Sequence, residues 1–155
     1  MILSAPEIVR YLNRKGTEGN LVINPYSNEC QQPASYDLRS AGDVLLPKGT
    51  CTLVPSLEWV ELPRDLAGTL RCRSSFGRRG ILLGAGFVDP GFRGQLTLCL
   101  INLGADEIII RKNERVVQMI LMRLRKVTSP IRAGTRIAGE PWRQSDHDPY
   151  RKKIY

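Results

Sequence analysis

A chain of 155 residues that is 42% hydrophobic is long enough to bury one core and too short for two comfortable ones. Its formal net charge of +8, from 23 Lys and Arg against 15 Asp and Glu, favours an anionic partner, a nucleotide or a nucleic acid, without choosing between them. The one histidine, His147, lies in a polar tail and no CxxC pair occurs, which excludes a His/Cys zinc site, the usual zinc-dependent nucleobase deaminase centre and a Ser-His-Asp triad.

Ser4 and Glu7, with Pro6 between them, form a capping-box pattern that opens a short helix. Ile8, Tyr11 and Leu12 give it one apolar stripe before Gly16 and Gly19, suited to a lid on a sheet or to an oligomer contact. Leu21 to Asn24 is extended and closed by Pro25. Pro33 to Ala41, PASYDLRSA, predicts a strand in which Asp37 and Arg39 share a face; a local ion pair between them is one reading. Val44–Leu46, Thr50–Val54 and Leu57–Leu62 read as short strands cut by Pro47-Lys48-Gly49 and by Pro55-Ser56, and Pro63 and Asp65 turn the chain into Leu66–Cys72. Closely spaced short strands predict an all-β barrel or jelly-roll sandwich.

The stretch from Arg73 to Gly94, RSSFGRRGILLGAGFVDPGFRG, carries the chemistry. Guanidinium forks beside a glycine-rich backbone suit a phosphate-bearing ligand. A carboxylate there, Asp89, repels phosphate unless it serves a metal-neutralised substrate or a water. A β-hairpin with solvent-facing arginines, in which Asp89 only helps the turn, fits the same residues.

Gln95 to Ile101 alternates Leu96, Leu98 and Leu100 against Gln95, Thr97 and Cys99 with no charge on either face, as in a central strand. Glu107–Ile110 is β-like, and the apolar run Val116–Leu124 is interrupted by Gln118. That amide needs a partner, from a ligand, a backbone edge or a loop, because burying it unpaired costs about 1–3 kcal/mol. From Thr128 the chain is polar and basic, too poor in apolar surface to fold alone. Residues 1–127 are read as the β domain and 128–155 as a basic arm packing on it or on a neighbouring subunit, anchored by Trp142, Tyr150 and Tyr155, or as a solvated end beyond Pro149. Cys30, Cys51, Cys72 and Cys99 read as buried free thiols of a reducing compartment. With no long apolar run and no leader-like start, the expectation is a soluble, cytoplasmic protein with no membrane segment.

The opening MILS, PASYDLR, RSSFGR, AGFVDPGFRG and RVVQMI occur in this order over roughly Met1 to Leu124, and together they resemble the dCTP deaminase/dUTPase superfamily. The resemblance implies a distorted β-barrel or jelly-roll of the β-clip kind with a short N-terminal helix. It also implies a homotrimer whose sites are shared between chains, a deoxyribonucleoside triphosphate substrate, and Mg2+ carried on its phosphates. Ser74, beside Ser75, and Arg78 look like the phosphate-binding serine and arginine, with Arg73 and Asp37 in support. Asp89 matches the aspartate that holds the attacking water, Phe92 the aromatic against deoxyribose, and Gln118 the amide that reaches the phosphates from another strand. Gly84 and Gly86 look like the loop whose main chain reads uracil. Deaminating members carry a glutamate where this chain has Cys99, and a thiol is poorly suited to shuttling a proton between water and a pyrimidine ring. The expectation is therefore a monofunctional dUTPase, a dUTP diphosphatase releasing dUMP and pyrophosphate. The alternatives are a dCTP deaminase, with or without dUTPase activity, and a non-catalytic nucleotide- or nucleic-acid-binding trimer; the chain lacks the repeated aromatics of a nucleic-acid stacking platform. The arm lacks the glycine-rich closing motif of common dUTPases, and Arg143, Arg151 and Lys152 are its candidates for that task.

Overall fold

The computed structural model describes residues 1–14 and 19–126. The basic arm, with Arg143, Arg151 and Lys152, and the helix-ending Gly16 lie outside the described residues.

Helix α1 (Ala5–Leu12) begins where the capping box predicts. The Glu7 carboxylate accepts hydrogen bonds from both the backbone N–H and the hydroxyl of Ser4, each 2.8 Å, so an otherwise orphaned terminal donor is satisfied. The helix buries Ile8 and Tyr11. The Tyr11 hydroxyl donates to Asp65 at 2.9 Å and Arg14 contacts the same carboxylate at 2.9 Å, clamping the helix to the turn before Leu66.

The strands are β1 (Val22–Asn24), β2 (Gln31–Gln32), β3 (Ser35–Arg39), β4 (Val44–Leu46), β5 (Cys51–Glu61), β6 (Leu66–Cys72), β7 (Ile81–Leu83), β8 (Phe87–Val88), β9 (Arg93–Asn102), β10 (Ile108–Ile110) and β11 (Arg115–Arg123); the one-turn helix α2 (Ser74–Gly77) separates β6 from β7. They form a four-stranded sheet, β1-β5-β9-β7, a five-stranded sheet, β2-β3-β11-β6-β8, and the pair β10-β4. Tyr36, Leu38, Val54, Val60, Leu98, Leu100, Val117, Met119 and Leu121 are buried in the common core, and the alternation of β9 turns Leu96, Leu98 and Leu100 inward as its sequence predicts.

Four expectations are corrected here. No sheet closes on itself, so the architecture is an all-β two-sheet fold and not a distorted barrel. The sheet edges are strands of two or three residues, β1, β2, β7 and β8, too short to carry a hydrogen-bond ladder from one sheet into the other. Pro55-Ser56 does not cut a strand. β5 runs through it, with a register shift between Pro55 and Trp59 that accommodates a residue without an N–H. The Ser56 hydroxyl replaces ladder bonds by accepting from Leu96 N–H at 3.0 Å and donating to Glu58 C=O at 2.8 Å.

Asp37 and Arg39 do not pair with each other. Arg39 ends β3 beside the Ser40–Ser56 bridge, which brings it to the fully buried Glu58 at 2.6 Å. Finally, Arg73 to Gly94 is not a hairpin. β7 pairs with β9 in one sheet and β8 pairs with β6 in the other, and the link Gly84-Ala85-Gly86 crosses between them.

Candidate functional site

Four places hold the residues singled out from the sequence. The first is the junction of β3, β6 and β11, where Gln118 lies opposite both Asp37 and Arg71 in the ladders. Asp37 is 1% exposed, and neither carboxylate oxygen has a hydrogen bond of full geometry. Arg73 Nε at 3.1 Å and Arg115 at 3.7 Å face it as charges. Burial pushes the Asp37 carboxyl above its ordinary value, while Arg73, Arg115 and the Gln118 amide pull it down. Arg73 is further tied to β11 by a 3.0 Å bond from Nη1 to Arg115 C=O and by its N–H to Val116 C=O at 3.1 Å. These contacts make Asp37, Arg73 and Gln118 one unit that anchors the start of α2.

The second place is α2 itself. Ser74, Ser75 and Arg78 are exposed on this turn while Phe76 is buried beneath it, which fixes the turn and leaves its hydroxyls and guanidinium facing solvent. Just beyond, the chain crosses itself. Gly80 has φ +83°, and a Cβ there would meet Gly104 N at 2.6 Å, so only glycine fits. The buried Asn102 amide locks this crossing, donating to Leu46 and Asp106 carbonyls and accepting from Gly104 N–H, each at 2.9 Å. The crossing shapes a shallow pocket of about 360 Å³ lined by Arg78, Arg79, Asp106 and Glu107 among others.

The third place is the turn after β8. Asp89 is exposed, and Phe92 N–H donates to Asp89 C=O at 3.1 Å. Gly91, at φ 82°, lets the turn close on Leu62 through bonds of 3.1 and 2.9 Å. Phe92 is half-buried against the core, so only part of its ring is free for a sugar. Among the described residues no hydrogen bond or ion pair joins Asp89 or Phe92 to Ser74, Ser75, Arg78 or Gln118.

The Gly84–Gly86 link is committed internally. Gly84 N–H donates to Cys99 C=O at 2.8 Å, and Gly86 C=O accepts from Leu70 N–H at 2.6 Å, so those two groups are spent on holding the two sheets rather than on reading a base. Cys99 is half-exposed, and its sulfur lies 3.0 Å from that of the exposed Cys51. Of the four thiols only Cys30 is buried as expected; Cys72 is half-buried, and Cys51 and Cys99 lie on the outer face of β5 and β9. The hydrogen bond with Cys51, and then burial, push the Cys99 thiol up. Among the described residues no three His, Cys, Asp or Glu side chains converge on a metal position, and no helix is long and apolar enough to cross a membrane.

The sequence singled out neither Arg115, Glu58 nor Asn102, and it gave Cys51 only as a buried thiol. For Asn102 a signal was present: the period that turns Leu96, Leu98 and Leu100 inward also turns Asn102 inward, and a buried amide must be satisfied.

Residues 40–124 match the dCTP deaminase-like family. The chain is 39% identical to a dCTP deaminase of Pyrococcus abyssi over 67% of this chain and 77% of that protein. It is 32% identical to a dUMP-forming dCTP deaminase of Methanosphaera stadtmanae over 83% of this chain and 81% of that protein. In fold it is similar to the dUTPase of EIAV, with a TM-score of 0.57 at 20% identity over 86% of this chain and 97% of that one. It is also similar to the 2'-deoxycytidine 5'-triphosphate deaminase of Agrobacterium tumefaciens, with a TM-score of 0.64 at 20% identity over 77% of this chain and 47% of that one. The sequence relatives overturn the expectation of a monofunctional dUTPase, and with it dUTP as the expected substrate and pyrophosphate release as the expected reaction. The structural likenesses speak to the fold alone.

Proposed function

Because the chain belongs to the dCTP deaminase-like family, we propose that it is an enzyme acting on a deoxycytidine nucleotide, with dCTP as substrate and hydrolytic removal of the 4-amino group as the reaction. The observation that carries this reading is the sequence similarity to dCTP deaminases more than one third identical to it over most of their length. In this reading Ser74, Ser75 and Arg78 hold the triphosphate through charge-assisted hydrogen bonds, and the Asp37–Arg73–Gln118 unit positions the turn that presents them. Phe92 flanks the deoxyribose. A new C4–O bond forms from water and the C4–N4 bond breaks; one water proton ends on ring N3, and the other passes to the amino group, which leaves as ammonia. Asp89, an exposed carboxylate, is the candidate to accept and return that proton.

Magnesium enters as a proposal on the substrate. It would be carried on the triphosphate, whose negative charge it would offset. A homotrimer is likewise proposed: exposed Ile2 and Phe87, with half-buried Ile120 and Met122, share the outer face of the five-stranded sheet, an apolar surface that a second copy would cover. A free nucleotide substrate and unlinked cysteines suit a cytoplasmic setting.

A second reading, dCTP binding without turnover, is favoured by one observation: Cys99 occupies the place where the resemblance puts a glutamate. Incubating the protein with dCTP and with dUTP in parallel, while measuring ammonia and the equilibrium binding of each nucleotide, separates the readings. Ammonia from dCTP supports the enzyme; tight dCTP binding without ammonia supports the second reading; no preference for dCTP over dUTP in either measurement refutes both.

A further inference from the structure

We propose that Cys51 and Cys99 form a redox-active dithiol, a modification site that peroxides convert into an intrachain disulfide beside the Gly84–Gly86 link. In the β5–β9 ladder Cys51 faces Ile101 and Cys99 faces Leu53, so the two cysteines are diagonal neighbours on the outer face. Their sulfurs are 3.0 Å apart, and bonding them needs a further approach of about 1 Å. Solvent reaches the pair: Cys51 is exposed, Cys99 is half-exposed, and Leu53 and Leu82 beside them are 46% and 50% exposed. The four cysteines are free, so both partners enter as thiols.

The exposed member reacts first. Cys99 is held as a thiol by its hydrogen bond to Cys51, whereas the Cys51 sulfur faces water and meets the oxidant. As thiolate it attacks one peroxide oxygen; an S–O bond forms, the O–O bond breaks, and hydroxide leaves to become water. The Cys99 sulfur then attacks the Cys51 sulfur, the S–S bond forms, the S–O bond breaks, and the second water carries off the Cys99 proton. Two thiols supply two protons and two electrons, and one peroxide accepts them. A diagonal bridge between adjacent strands is strained and exposed, which makes it readily reduced by small thiols.

The bond would also be felt by the neighbouring link. A Cβ built on Gly84 would lie 2.9 Å from the Cys99 sulfur, so that sulfur is packed directly on the Gly84 backbone. Drawing it toward Cys51 shifts an atom packed on the link beside the Gly84 N–H to Cys99 C=O hydrogen bond. An effect on dCTP rests on the function proposed above, whereas the covalent step does not.

The test uses the full chain. Reduced and hydrogen peroxide-treated samples are alkylated with N-ethylmaleimide, digested and mapped by mass spectrometry, and dCTP binding is measured on both. We expect the treated chain to take up two fewer maleimides, to yield a linked peptide containing Cys51 and Cys99, to recover both sites with dithiothreitol, and to bind dCTP more weakly. Cys51→Ser should abolish the linked peptide and leave Cys99 open to alkylation after peroxide. Four alkylated thiols after peroxide, a bridge through Cys30 or Cys72 or between chains, or a terminal sulfinic acid on Cys51 would each overturn the dithiol. A disulfide that forms while dCTP binding stays unchanged would overturn its coupling to the link, and failure of dCTP binding in the reduced protein would count against the substrate reading alone.

Discussion

Replacing Gly84 by alanine tests the packing between the crossing link and β9. Gly84 is not among the glycines with positive φ, so alanine meets no backbone penalty there and by itself would stabilise by about 0.4–1 kcal/mol through the unfolded chain. The obstacle is steric. The new methyl would sit 2.9 Å from the Cys99 sulfur and 3.3 Å from Ile101 Cδ1, and overpacking of this kind costs about 1–3 kcal/mol. The net expectation is a loss of about 1–2 kcal/mol. Cys99→Ala removes the nearer obstacle and leaves only the flexible end of Ile101, so in that background Gly84→Ala should be neutral or mildly stabilising. Urea unfolding of the parent, both single variants and the double variant then gives a coupling of about 1–3 kcal/mol, well above the ~0.3–0.5 kcal/mol scatter of independent sites. Additivity within that scatter would refute the placement of the Cys99 sulfur against the link.

Glu58→Leu leaves Arg39 without the carboxylate that meets it at 2.6 Å and accepts its backbone N–H at 3.0 Å; the expected loss is about 3–5 kcal/mol, read by chemical unfolding, and a loss below about 1 kcal/mol would contradict the pairing. Asp37 has a folded-state value raised above its ordinary 3.8, so the folded protein binds this proton more tightly than the unfolded chain. Its contribution is fully present below the unfolded value and is lost as pH rises through the folded one; melting temperatures of Asp37→Asn should lack that decline, and parallel profiles for the two proteins would refute it. Arg78→Ala, at the exposed C-cap of α2, should weaken dCTP binding about tenfold or more, the scale of a lost charge-assisted hydrogen bond, with the unfolding midpoint unchanged. Unaltered binding by titration calorimetry would remove Arg78 from the phosphate site.

Much of the chain could be read in advance where a local rule decides the outcome. Ser4 and Glu7 placed the helix start, and the inward phase of Leu96, Leu98 and Leu100 placed β9 in the core. What could not be read depends on contacts distant in sequence. Pro55 signals a break locally, yet the Ser56 hydroxyl and a register shift carry β5 past it. Asp37 and Arg39 are two residues apart, but their partners, Arg73 and Glu58, arrive from other strands. The glycines of the link suggested a backbone open to a base, whereas Gly84 N–H and Gly86 C=O are spent on Cys99 and Leu70. The substrate reading failed for a different reason. It rested on Cys99 and on the Gly84–Gly86 link, whereas the similarity to dCTP deaminases extends over 119 residues.

The proposal that the chain turns over dCTP is tested most directly by following dCTP carrying 15N in its exocyclic amine by NMR in the presence of the intact protein. We expect the label to appear as ammonium in step with loss of the cytosine signals, and to do so far more slowly with Arg78→Ala. A label that stays on the nucleotide while the protein remains folded and saturated with dCTP would contradict deamination.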